Sequence, residues 1–408
     1  MAAEHASLMR DRAGQQRVTN IELFFDLVFV FAVTQLSHFL LAGPGHGGSA
    51  RTAFLAALLL TMVWMLWSYT TWLTNWLDPE RIAVRLLLLA LALISLASSA
   101  AIPTAFGRWG LVVGAAYLVM QVGRSAFAVL AITDPALRRN FQRILAWCAV
   151  SGSLALAGGL VTGNARVLLW VGAVTVDLLG GTAGFYTPGL GRSRTAEWTI
   201  EGGHFAERCQ AFVLIAIGES IVVIGASLAV RLRPAGPGPT GAEVVAFVIA
   251  LVGSVGFWWV YFDRAAGDAA EVIARSADPG RLGRSAYHLI HPIIVAGIIV
   301  AAAADGATAE VAARGAADQA SPWEAGLILG GPALFLAGHA AFKAAIWHRV
   351  SWPRLSAIVV LALLALAART VPALALAGCG AAAVVAVAVA DQIWRPTGEL
   401  PPQATRPG

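Results

Sequence analysis

The chain is predicted to be an all-α, polytopic transmembrane helix bundle of about 12 helices, arranged as two six-helix repeats in parallel orientation. Three observations predict it. Of 408 residues, 58% are hydrophobic and 12% are charged, where a soluble domain carries about a quarter charged. The apolar residues fall into long runs, each near the length that one membrane crossing needs. The basic residues sit between those runs and favour one side. Mean hydropathy is +0.73. These features exclude a water-soluble enzyme, a disordered chain and a nucleic-acid binder. The net charge of +5 comes from arginines (Lys343 is the one lysine) dispersed among the loops rather than gathered in a patch.

Residues 1–20 form a polar, arginine-bearing N-terminal segment without a signal-peptide cleavage site, so the first helix serves as its own uncleaved insertion signal. The first six runs cover 22–41, 53–77, 83–102, 109–132, 143–162 and 167–187, within a first repeat at 21–190. The next six cover 206–230, 243–262, 286–304, 325–346, 354–368 and 372–393, within a second repeat at 191–395. A Pro-rich tail, 396–408, is expected to be disordered. Whether 354–393 forms two full spans or one re-entrant hairpin around Arg369 and Pro372 is open. Twelve crossings put 19 of the basic residues on the side of the N-terminus and 7 opposite. That bias predicts a cytoplasmic-membrane protein with both termini cytoplasmic. The linkers are too short to bury a core, so any chemistry is intramembrane or at a membrane face.

The halves resemble each other in the order of their polar features. IELFFDLVFVFAVTQLSHFL (21–40) opens the first and AERCQAFVLIAIGESIVVIG (206–225) the second. Aligning Glu22 with Glu207 sets Thr34 opposite Glu219 and Gln35 opposite Ser220. The next helix in each half closes in aromatics and an aspartate, Trp64 to Asp78 and Trp258 to Asp263. An even number of helices per repeat gives both halves the same orientation, about an axis along the membrane normal.

A charge at mid-membrane costs at least about 2.5–3.5 kcal/mol, so each needs a partner, a wet cavity or a function. Glu22 and Asp26 share one face of the first helix at i, i+4. Thr19 and Glu22 also have the spacing of a capping box, which gives Glu22 a second reading as a helix cap. Gln35 and His38 continue the polar content of that helix. Glu219, beside Gly218 and Ser220, sits mid-run and is the sharpest signal; Asp177, before Gly180-Gly181, is comparable. Arg124 lies deep in the fourth run, and a buried ion pair with Asp177 or Asp26 is the structural alternative to a functional role. An unpaired carboxyl there is a natural proton carrier or general acid. Glu207 and Arg208 are expected to point inward at the entry of the seventh helix. His288 and His291, at i, i+3, suggest a proton relay or a structural role rather than a metal site, since no third ligand is adjacent. No metal and no other cofactor is expected. Cys148, Cys209 and Cys379 read as buried free thiols. Trp64, Trp67, Trp258 and Trp259 are candidates to line a cavity, with an interfacial aromatic belt as the alternative.

Three stretches resemble the hallmarks of the low temperature requirement A family of bacterial membrane proteins. They are Glu22-Leu23-Phe24-Phe25-Asp26-Leu27-Val28-Phe29-Val30-Phe31-Ala32, Glu207-Arg208 with Leu214-Ile215-Ala216-Ile217-Gly218-Glu219-Ser220, and Trp258-Trp259-Val260-Tyr261-Phe262-Asp263. The resemblance spans roughly residues 17–395 and implies an integral membrane protein of a family named for a cold-growth phenotype. Arg17 and Phe25-Asp26 also resemble, more faintly, the Arg…Phe-Ser-Asp first helix of the lysosomal potassium and proton channel family, with Phe25 in place of the Ser.

The leading functional expectation is a proton- or ion-linked transporter or channel using intramembrane carboxylates, with helices one and seven at its centre. An intramembrane enzyme on a lipid or isoprenoid substrate, with a carboxyl acid and a Trp-lined cavity, is the alternative. A structural or regulatory membrane protein is the third. Helix one discriminates between the first two: a polar stripe favours a conduit, whereas an apolar cavity with two convergent carboxyls favours catalysis. The expected partners are the bilayer and a small ion or lipophilic substrate, with no nucleic acid.

Overall fold

The computed structural model describes residues 8–10, 17–45, 47–193, 202–234, 236, 238–263, 269, 272–273, 275–276 and 278–393. The expected disordered tail and most of the N-terminal segment lie outside the described residues. Among the described residues, twelve principal helices follow one another: α1 (Asn20–Leu41), α2 (Ser49–Thr74), α3 (Ile82–Ala100), α4 (Gly110–Ala131), α5 (Pro135–Leu160) and α6 (Gly163–Thr182). Then come α7 (Gly202–Arg231), α8 (Gly241–Phe262), α9, α10 (Pro322–Trp347), α11 (Trp352–Ala367) and α12 (Ala373–Ile393). α9 is composite: one α-helical turn (Pro279–Gly283), a π-helical stretch (Arg284–Ile290) and a long α-helical piece (His291–Arg314). Eleven of the helices are long and apolar enough to cross a membrane.

Helix starts follow from capping. Glu22 accepts from the backbone and hydroxyl of Thr19 at 3.0 and 2.9 Å. Thr240 with Glu243 and Ser321 with Glu324 form capping boxes for α8 and α10. Two helices extend well past their predicted runs, the fifth and the ninth: α5 starts at Pro135 rather than 143, where Asp134 caps it by accepting from Leu137 N. The ninth helix runs ten residues beyond the expected 304, because Asp305 is taken into an otherwise Ala-rich helical turn rather than ending it. α11 has only 16 residues, about 24 Å at 1.5 Å per residue and short of a hydrocarbon core of about 30 Å. Buried Arg354 anchors its start with a two-pronged ion pair to Asp391 of α12 (3.0 and 2.6 Å) and a bond to His339 of α10 (2.9 Å).

Several helix pairings recur between the halves, although α8–α9, α9–α12 and α10–α12 in the second and α2–α4 in the first lack comparable counterparts. α1 packs on α2 and α3, α2 on α6, and α3–α6 follow in sequence; α7 packs on α8 and α9, α8 on α12, and α9–α12 follow in sequence. The halves meet where α1 touches α7 and α9, and where α2 touches α9 and α7. Small residues set the closest approach: a Cβ on Gly297 would stand 2.3 Å from the Phe335 backbone nitrogen, and one on Gly338 would stand 2.8 Å from that of Ile294. Gly297→Ala is therefore expected to separate α9 from α10 and destabilise by about 1–3 kcal/mol. Gly326→Ala, in open space, is the control. Equal thermal unfolding of the two variants would show that the contact can relax.

Candidate functional site

A dense network of buried charge lies on the seam between α1, α2 and α7. Arg208 grips Asp26 with two prongs, Nε to Oδ2 at 2.7 Å and Nη2 to Oδ1 at 2.5 Å. Its Nη1 donates to Glu22 Oε1 (3.1 Å) and to Thr74 Oγ1 (3.2 Å). Trp67 Nε1 donates to Asp26 Oδ1 at 2.6 Å, and the guanidinium lies 5.9 Å from the Trp67 ring. Glu22 also bonds His204 Nε2 at 2.9 Å and Arg10 Nη2 at 2.7 Å. Glu22, Asp26, His204 and Arg208 are all fully buried. Such a network is sustained in low dielectric because both carboxylates meet cations and nearly all their oxygens are bonded.

Along the same seam, about 12 Å further at eight residues of rise, lies a different centre. Thr34 of α1 donates to Glu219 Oε2 of α7 at 2.6 Å. Glu219 is 3% exposed, and its Oε1 has no hydrogen-bond partner. Ser220 is buried beside it, Gln35 is half-buried and His38 is exposed. In the turns between the two centres, Phe29 and Val33 on α1 and Phe212, Val213 and Ala216 on α7 are apolar and buried. α1 and α7 run in the same sense, since Arg208 and Glu219 meet α1 in the order Glu22–Asp26, then Thr34.

A third network joins α4, α6 and α2. Tyr117 and Gln121 both donate to Asp177 Oδ2, the latter at 2.7 Å. Arg124 donates to the Gln121 side-chain oxygen, to Leu66 O (3.3 Å) and to Thr70 Oγ1 (3.4 Å). The ion pair of Arg124 with Asp177 or Asp26 does not form. Gln121 stands between Arg124 and Asp177, and Asp26 is claimed by Arg208.

Other expected site residues are placed differently from the sequence reading. Glu207 is exposed, accepting from Val18 N at 3.2 Å; about 100° of helix rotation separates it from Arg208, and it falls on the outer face while Arg208 is buried. His288 and His291 diverge across the π-helical stretch. His288 Nδ1 meets Ser68 Oγ at 2.5 Å, whereas His291 Nε2 meets Tyr261 OH at 2.7 Å. Among the described residues, no three His, Cys, Asp or Glu converge as a metal site. Trp64 and Trp67 are fully buried, but they pack on each other (4.7 Å between centroids) and on Phe212. Trp64 Nε1 donates to His288 O at 2.9 Å. Trp258 and Trp259 are 46% and 45% exposed and face outward rather than lining a cavity. Cys148, Cys209 and Cys379 are free, with Cys379 exposed.

Asp305 carries no sequence signal, because the predicted run ends at 304 and leaves it in the following linker. It lines a cavity of about 40 Å³ together with Ser254 and Thr308. His204 and Arg10, reaching Glu22 from outside the first helix, carry no sequence signal of their pairing.

Span-length apolar helices around a buried charge network define a multi-pass membrane protein. The sequence model of the family described as "Bacterial low temperature requirement A protein (LtrA)" matches residues 17–390. The chain belongs to that family. It is similar to the uncharacterized protein RA0937 of Rhizobium meliloti (strain 1021), 35% identical over 347 residues that cover 83% of this chain and 80% of the relative. No solved structure matches it.

Proposed function

We propose that the chain is a proton- or ion-linked transporter or channel whose path follows the α1–α7 seam. The carrying observation is the division of that seam: a neutralised Glu22–Asp26–Arg208 centre, an apolar stretch, and a Glu219 carboxyl bonded to Thr34. Deep carboxyls spaced along a helix pair suit stepwise movement of protons or cations. Acid catalysis fits less well. Asp26 is tied to a guanidinium, and Trp64 and Trp67 fill their own space.

The proposed repeats, 21–190 and 191–395, draw support from the helix pairings that recur between them and from Thr34 meeting Glu219. Those two residues are equivalent in the alignment, and equivalent residues meet where they lie beside a twofold axis. Proteoliposomes holding a pH-sensitive dye test the function directly. Under an imposed proton or potassium gradient, the wild type is expected to dissipate the gradient faster than empty liposomes. Rates equal to empty liposomes under both gradients would remove the reading.

The proposed orientation has both termini cytoplasmic, with α11 crossing despite its length. Reporter tags at residues 3 and 405 should read cytoplasmic and a tag near 237 external. Tags at 3 and 405 on opposite sides would make α11 re-entrant.

A further inference from the structure

A second pocket lies away from the α1–α7 seam, enclosed by α2, α4, α5, α6 and the start of α9. Its volume is about 70 Å³, several times the roughly 10–15 Å³ that one water requires. Arg124, Ser125 and Phe141 form its buried floor, and half-buried Arg284 stands at its rim with Gly181 and Gly184. Tyr69 and His288 complete one wall. Among the described residues, two guanidiniums line this space and no carboxylate does.

Arg284 is incompletely bonded in a specific way, although the Asp278 carboxylate at the start of α9 acts on its charge. One of its terminal nitrogens donates to Gly181 O, while its buried Nε has no partner. Among the described residues neither Arg284 nor Arg124 forms an ion pair. Arg124 has amide, hydroxyl and carbonyl partners, and Gln121 separates it from Asp177. A buried donor without an acceptor, beside a second cation in apolar walls, is costly unless an anion supplies the acceptor. Guanidinium forks suit the paired oxygens of phosphate and carboxylate.

We propose that this cavity is an oxyanion site, built for a phosphate-type group that enters past Arg284 and is held between Arg284 and Arg124. The apolar walls suit an oxyanion carried on an amphiphile, whose chain would lie along the outer surface of the bundle. The site is independent of the α1–α7 path, so its test does not depend on transport.

The test is equilibrium binding to the purified full chain in detergent. The probes are short-chain phosphatidylglycerol, its zwitterionic phosphatidylcholine counterpart and inorganic phosphate. Phosphatidylglycerol is expected to bind saturably and phosphatidylcholine at least tenfold more weakly. Arg284→Gln should lower phosphatidylglycerol affinity at least about tenfold, the scale of one hydrogen bond to a charged group. Arg138→Gln, at an exposed surface arginine, should leave it unchanged. Ser125→Phe fills the floor without removing a charge and should weaken binding similarly, which keeps the test valid if Arg284→Gln folds poorly. Displacement of phosphatidylglycerol by millimolar inorganic phosphate would assign the free anion as a ligand; failure to displace would assign the lipid headgroup. Wild-type affinity in both Arg284→Gln and Ser125→Phe, or equal binding of the zwitterionic lipid, would overturn the site.

Discussion

Arg208→Gln is expected to be the most destabilising single substitution in the membrane interior. It leaves Asp26 without its two-pronged partner and Glu22 without one of its cations, with both carboxylates fully buried. Breaking a buried pair from one side costs about 3–5 kcal/mol, because the remaining charge has no compensation. Thermal unfolding of the purified variant should show a large drop, and its yield in the membrane fraction should fall. Asp26→Asn alone should be milder, since Arg208 keeps Glu22. The double variant Asp26→Asn/Arg208→Gln should recover a substantial part of the loss, leaving a coupling energy well above 1 kcal/mol in a double-mutant cycle. Strict additivity would show that the two side chains do not depend on each other.

Glu219→Gln is expected to behave in the opposite way, with near-normal folding and lost function. A glutamine oxygen can still accept from Thr34 Oγ1, and Glu219 Oε1 gives up no hydrogen bond because it makes none. What disappears is the ability to exchange a proton. Flux in proteoliposomes should fall at least about tenfold, the effect of a 1.4 kcal/mol change in barrier. Cells carrying this variant should show whatever growth defect at low temperature the null strain shows. Thr34→Val, which removes the hydrogen bond that Thr34 makes to Glu219 while keeping shape, should give an intermediate rate. Full activity of Glu219→Gln would make Glu219 a structural residue and move the search to Asp26 and Asp177.

The helices were legible in the sequence because a crossing is written as a run of about twenty apolar residues, and a run survives errors of a few positions. Their pairings were not. Arg208 stands next to Glu207, and only the rotation of α7 about its axis decides which of them reaches Asp26. Glu22 was open between a cap and a buried charge, and it is both: Oε2 caps α1 through Thr19 while Oε1 meets Arg208 and His204. The tryptophans divided for a similar reason. Trp67 found an acceptor across the bundle, whereas Trp258 and Trp259 lie on the outward side of α8. Asp305 falls outside the predicted run because hydropathy marks where a helix turns polar, not where its backbone stops.

The π-helical stretch of α9 gives that helix a distinct mechanical property. A π segment accommodates more residues per turn than an α-helix, so returning it to α-helical winding shifts the register of everything on one side of it. A slip of one residue corresponds to about 100° of rotation. The far piece is held by the bond between His291 and Tyr261 and by the close approach of Gly297 to α10. The near piece, carrying Arg284, is attached to α6 through Gly181 O. α9 is thus a torsional joint of seven residues that is held on both sides and, within the stretch, by the bonds of His288 to Ser68 and Trp64. Turning it would swing Arg284 around the helix axis and break those two bonds.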